Sequence, residues 1–267
     1  MDATFLTSYG SGAVAGHVIS APVTIGGKTA TLPVGISRKQ IGFNEGITDG
    51  LMGLAYNPIS QISKATGMNA NFMDWLAYTN KQKNMVSFYL SKDNNRKGEV
   101  TFGGMDSSKF TGPIHFMPLN SKTFWQVDFE KATFEIGDIQ GSFKAPDVIA
   151  DTGTSLIILR DDVARTINEA LGATIFDGNT FSFPDCRKAT LGPDVIFNIQ
   201  GKQFAIPASI YVLKGIEPGS CTSGFTSGAD GKAILGDTFL RAYYSIYDKD
   251  NAQLGFAKSI DNDSKLG

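Results

Sequence analysis

At roughly 100–200 residues per domain, 267 residues make room for one large domain or two modest ones. Hydrophobic residues make up 42% and charged residues 19%, with a mean hydropathy of -0.07, which excludes a disordered chain. No run approaches 18 apolar residues, so no helical membrane span is expected, and a formal net charge of -2 leaves no electrostatic footprint for nucleic acid.

Taken in chain order, the pattern is mainly period-2 alternation. Met1–Phe5 lacks the basic and apolar regions of a signal peptide, which at face value reads as cytosolic. Val14–Ser20 and Val23–Ile25 alternate up to Gly26-Gly27, and Thr29–Leu32 continues after that turn. Asn71–Tyr78 predicts a helix capped by Asn71. Apolar periodicity is weakest around Phe110–Lys122, which places a lobe junction there. Phe134–Ile139 predicts a strand. Asp161–Leu171 predicts a helix, with two acids in its first turn, Val163, Ile167 and Leu171 on one face, and Gly172 as its stop. Val195–Ile199 and Gln203–Ile206 flank Gln200-Gly201 as a hairpin, and Ala233–Leu235 is a further strand. Many short strands with few helices predict an all-β class of packed or closed sheets.

Two cysteines, Cys186 and Cys221, allow one bridge or two buried thiols, and their loop-like settings suit a bridge better. Asn262-Asp263-Ser264 is an N-glycosylation sequon near a polar tail, which alone says little. His17 and His115 are the only histidines, neither lies in a metal-ligand spacing, and no phosphate-binding loop is present. What remains is carboxylate chemistry.

In Val148–Ile157 an apolar strand delivers Asp151 into Asp151-Thr152-Gly153-Thr154-Ser155. Gly153 permits close backbone approach, and the hydroxyls of Thr152, Thr154 and Ser155 can orient a carboxylate that would be costly to bury alone. An ordinary β-turn is the plain alternative.

The segment resembles the C-terminal-lobe signature of the pepsin-like aspartic proteases. Ile234-Leu235-Gly236-Asp237-Thr238-Phe239-Leu240-Arg241 resembles the loop that packs beneath the aspartate in that lobe, and Tyr243–Asp248 the strand after it. Asp49–Tyr56 is similar to the first-lobe copy of that loop, Ser8–Gly12 to the tip of the flap hairpin, and Phe124–Val127 to the start of the second-lobe sheet. The matches run in family order over nearly the whole chain.

The resemblance implies a bilobal all-β fold with few short helices, a partial N-terminal lobe over 1–115 and a C-terminal lobe over 116–267. It implies an aspartic endopeptidase acting on proteins or peptides without metal or organic cofactor, a monomer at full length, and a secreted, vacuolar or lysosomal address. It further implies Asp151 as catalytic, Thr152, Gly153, Thr154 and Ser155 as its support, and Tyr9, Gly10, Ser11 and Gly12 as the flap. Cys186–Cys221 would be the disulfide. Phe43, Leu51, Phe124, Ile149 and Ile234 are candidates for side-chain pockets, with core packing the alternative for each. Asp237 is a candidate for tuning pH dependence or for capping a helix.

The family's chemistry uses two aspartates sharing one proton, and this sequence contains one Asp-Thr-Gly loop. Asp151 precedes Gly236 by 85 positions, and the same offset before Gly53 falls about thirty positions ahead of Met1. The expectation is therefore a chain lacking the first half of its N-terminal lobe. The alternatives are a non-catalytic peptide-binding relative, and a symmetric dyad built from two copies.

Overall fold

The computed structural model describes residues 3–10, 12–43, 49–93, 96–178, 180–215, 217–228 and 233–265. Strands hold 48% and helices 18%, about twice the strand share of an average soluble domain, as the alternating pattern predicts. The chain divides into two compact units. One comprises Met1–Met85 with Lys122–Phe124, the other Val86–Ser121 with Trp125–Gly267.

The first unit is built on an antiparallel sheet of Thr4–Tyr9, Gly12–Ile25 and Lys28–Ile41. Gly26 and Gly27 both take positive φ (54° and 74°), the geometry a two-residue hairpin turn requires and other residues resist. The helix Phe72–Asn80 begins where the sequence places it, because the Asn71 side chain accepts from the Met73 and Asp74 N–H groups. It buries Phe72, Met73 and Leu76. On its polar side the Asp74 carboxylate receives the side-chain amides of Asn57, Asn69 and Asn84 at 3.0–3.2 Å. A second helix, Gln61–Thr66, is six residues long without an apolar stripe, and its sequence marks are the Ser60 cap and Gly67 at its end.

The second unit holds a sheet in the spatial order Lys202–Ile206, Val195–Ile199, Trp125–Ile136, Ile139–Ala150, Ala233–Leu235, Ile157–Leu159, Phe225–Ser227. Residues 134–139 are not one strand. Gly137 takes φ 56°, and the chain reverses there, pairing Ile136 with Ile139. The helix Asp161–Leu171 matches the predicted span, buries Val163, Ala164 and Ile167, and ends at Gly172 with φ 80°.

Residues 86–118 pack with the second unit, for a reason visible in the pairing. Met85–Tyr89 lies beside Tyr243–Asp248, and Phe110–Pro118 pairs with Gln253–Ser259 in a five-stranded sheet. Phe110–Pro118 hides its strand character because its register slips between Phe256 and Lys258 and Gly112 takes φ 71°. Phe204, Phe239, Tyr243 and Phe256 form the aromatic centre of the core, with ring centroids 5.0–6.2 Å apart. A disulfide joins Cys186 to Cys221, tying the short helix Cys186–Ala189 to the strand Cys221–Ser223.

Candidate active site

Ile139–Ala150 ends in three buried residues, Val148, Ile149 and Ala150, and Asp151 follows immediately. The strand is fixed on both sides. Gln126 pairs antiparallel with Ile149, while Ala233, Ile234 and Leu235 run parallel to Val148, Ile149 and Ala150. The Asp151 N–H donates to Leu235 O at 3.1 Å, and so the aspartate emerges at the carboxyl end of two parallel strands.

Each carboxylate oxygen then receives one donor from its own loop. Gly153 N–H donates to Oδ1 at 2.9 Å, and Thr154 Oγ1–H donates to Oδ2 at 2.7 Å. Two short bonds to a charged acceptor hold the side chain in one orientation before any substrate arrives. Thr152, Gly153 and Ser155 are exposed and Asp151 is half-buried, leaving the carboxylate within reach of solvent.

A second segment supports the loop from below. Asp237 N–H donates to Thr154 O at 2.7 Å, Thr238 N–H to Ser155 O at 3.1 Å, and Thr238 Oγ1–H to the same carbonyl at 3.2 Å. Gly236 is required by space, not by backbone angle. A Cβ there would meet Thr154 O and, at 2.5 Å, Leu156 O, while its φ of -89° is open to any residue. The Gly236-Asp237-Thr238 motif is legible in sequence; the hydrogen bonds it makes to residues more than 80 positions away are not.

Asp237 lies in the first turn of the helix Asp237–Ala242. Burial pushes its carboxyl up to about 6; the Arg241 guanidinium at 4.0 Å opposes the rise, and the Asp151 charge adds to it. Arg241 is a partner the sequence reading overlooks, although its four-residue spacing from Asp237 could have signalled it. Tyr247 is 3% exposed and edge-on to Trp125, with ring centroids 5.2 Å apart. Burial raises its phenol, and the charges of Asp151 and Asp237 raise it further.

The raised Asp237 pKa has a stability consequence. Above an unfolded value near 4, the unfolded chain loses a proton that the folded chain keeps until about pH 6. Stability should therefore fall as pH rises through this window. Asp237→Asn removes that dependence, so relative to the parent it should gain about 1–2 kcal/mol between pH 4 and pH 7, allowing for solvent screening. Denaturant melts of both proteins at the two pH values check this; an unchanged difference between them would contradict it.

The remaining candidates fall into two groups, one per unit. In the second unit Ile149, two positions before Asp151, is 8% exposed, and Ile234, its register partner, is half-buried. In the first unit Tyr9 and Gly12 pair at the tip of the hairpin and Gly10 lies between them, while Ser11 lies outside the described residues. Tyr9 is 45% exposed and meets Phe43 edge-on with ring centroids 5.5 Å apart; partial burial raises its phenol pKa. Leu51 and Phe124 are exposed. Among the described residues no cluster of three or more His, Cys, Asp or Glu could hold a metal ion, and no helix is long and apolar enough to cross a membrane.

Comparison with known proteins adds an independent line. The family model for eukaryotic aspartyl protease matches residues 1–259. A probable vacuolar protease A of Trichophyton verrucosum is 36% identical over 267 aligned positions, covering 96% of this chain and 64% of that protein. Cathepsin D of Dictyostelium discoideum is 33% identical, covering 96% and 68%. Pepsin A of Rhinolophus ferrumequinum is 34% identical over 259 positions, covering 94% and 65%. The chain thus spans about two thirds of the length of these curated relatives. The crystal structure of an aspartic proteinase from Irpex lacteus superposes with a TM-score of 0.84, covering 100% of this chain and 84% of that one; at 22% identity this speaks for the fold alone.

Proposed function

The chain belongs to the eukaryotic aspartyl protease family, and we propose that it acts as an aspartic endopeptidase in which Asp151 supplies one carboxylate of a two-aspartate dyad. The observation that carries this reading is the pinned Asp151 carboxylate, bonded by Gly153 and Thr154 and backed by Gly236–Thr238. Two carboxylates about 3 Å apart cannot both ionise, so the pair keeps one proton. The ionised member draws a proton from water as that water attacks the peptide carbonyl, and the protonated member donates to the developing oxyanion. Their titration belongs to the pair.

In this reading the partner aspartate comes from chain outside these 267 residues, which contain one Asp-Thr-Gly loop. The substrate is an extended peptide, bound by main-chain contacts at Gly153 and Thr154 in the manner of an added strand. Within the first unit, the Tyr9 hairpin is the flap of this reading, and the exposed Leu51 and Phe124 are its pocket candidates. A vacuolar or lysosomal workplace is supported by the similarity to vacuolar protease A and cathepsin D. Asp237, which holds its proton up to about pH 6, suits such an acidic compartment. Because the sequence holds a single such loop, a non-catalytic peptide binder is the second reading.

Affinity separates the two. An enzyme should bind a peptide that mimics the tetrahedral transition state at least 10²-fold more tightly than a matched plain peptide. Equal affinities, measured by calorimetry on the chain joined to a relative's first Asp-Thr-Gly segment, would favour the binder.

A further inference from the structure

The sequon Asn262-Asp263-Ser264 is a motif that the proposed function does not use. An acceptor asparagine must present its side-chain nitrogen to solvent, because a bulky sugar is bonded to it. Asn262 is 6% exposed and Ser264 8%. The Asn262 Nδ2 donates to Ala205 O and to Ala242 O, both at 3.1 Å, so both of its protons are engaged. Its Oδ1 accepts from the Ser264 N–H at 3.0 Å, closing an Asx-turn.

Those partners come from three places. Ala205 belongs to the strand Lys202–Ile206, Ala242 closes the helix Asp237–Ala242, and Ser264 lies beyond the strand Gln253–Ser259. The Ala242 carbonyl is one of the helix-end acceptors that need a partner from elsewhere. The same stretch is held on both flanks. Asp261 accepts from Tyr89 Oη and from Arg96, each at 2.7 Å, and Lys258 Nζ donates to Ser264 O at 2.8 Å.

We propose that Asn262 is the buried clasp of segment 258–265 and carries no glycan in the folded protein. Attachment would replace one of two engaged N–H protons by a bond to the sugar and force the side chain into solvent. Sugar on Asn262 and docking of this segment therefore exclude one another. This holds whatever reaction the protein performs.

The test is expression behind a secretion leader in a eukaryotic host that glycosylates, followed by peptide mass spectrometry of the soluble fraction with and without N-glycosidase. Asn262 should be unmodified. Two variants that both delete the sequon should then diverge. Ser264→Ala keeps every bond of Asn262 and removes a hydroxyl that has no hydrogen-bond partner, so it should melt within about a degree of the parent. Asn262→Asp loses both donated bonds and turns a carboxylate toward two carbonyls, so it should melt roughly 5–10 °C lower. Failure of Asn262→Asp to fold beside a folded Ser264→Ala gives the same answer. A folded fraction bearing sugar on Asn262 overturns the proposal, as do two equally stable variants or a Ser264→Ala that does not fold.

Discussion

Replacing Gly236 by alanine should cost the fold about 3–5 kcal/mol and release the Asp151 loop. The methyl group would be driven against the Thr154 and Leu156 carbonyls. Backbone oxygens cannot rotate aside as a side-chain tip can, so the two segments must separate. Separation then breaks the bonds from Asp237 N–H to Thr154 O and from Thr238 N–H to Ser155 O. Gly153→Ala is the matched control. Its Cβ would approach Asp151 Oδ1 at 3.2 Å, a contact that a few tenths of an ångström relieve, so it should cost about 1 kcal/mol or less. Denaturant midpoints of the two variants, at unchanged m-value, check the contrast. Equal losses would mean that Gly236 does not buttress the loop.

Catalysis should switch on only when a second carboxylate is supplied. The 267-residue chain alone is expected to show no measurable peptide hydrolysis at acid pH, because one carboxylate cannot be base and acid in the same step. Joined to the segment of a relative that bears the first Asp-Thr-Gly loop, it should hydrolyse peptides at acid pH. General acid–base catalysis of this kind contributes about 10²–10⁴-fold, so the contrast lies well above assay background. Two other outcomes would change the account. Turnover by the 267-residue chain that disappears with Asp151→Asn would mean a dyad assembled from two copies. A joined chain that folds yet remains inert would leave the peptide-binder reading standing.

Much of this architecture is legible in the sequence because it rests on local chemistry. Gly26-Gly27 turns a hairpin, Asn71 caps a helix, and Gly172 ends another, each for a reason contained within a few residues. Residues 134–139 mislead because alternation continues across Gly137, and a positive φ at one glycine leaves no mark on the apolar pattern. Phe110–Pro118 misleads in the opposite sense, since a register slip erases the period of a genuine strand. The Asp151 loop could be found because its motif is contiguous. The setting of Asp237 could not, since its raised pKa depends on burial built by distant segments. Asn262 shows the same limit: a three-residue motif says what an enzyme could modify, and only the fold says that both amide protons are already engaged.

The central claim is that Asp151 is a reacting carboxylate and not merely a well-packed turn residue. Asparagine at this position retains the shape and an oxygen for the Gly153 N–H, and removes the charge. The direct measurement is kcat for one peptide at acid pH, in the joined chain and in its Asp151→Asn variant, with the melting temperature of each. A fall in kcat of about 10³–10⁴ at a melting temperature changed by no more than a few degrees is the expected result. Comparable kcat in the two proteins would contradict the assignment.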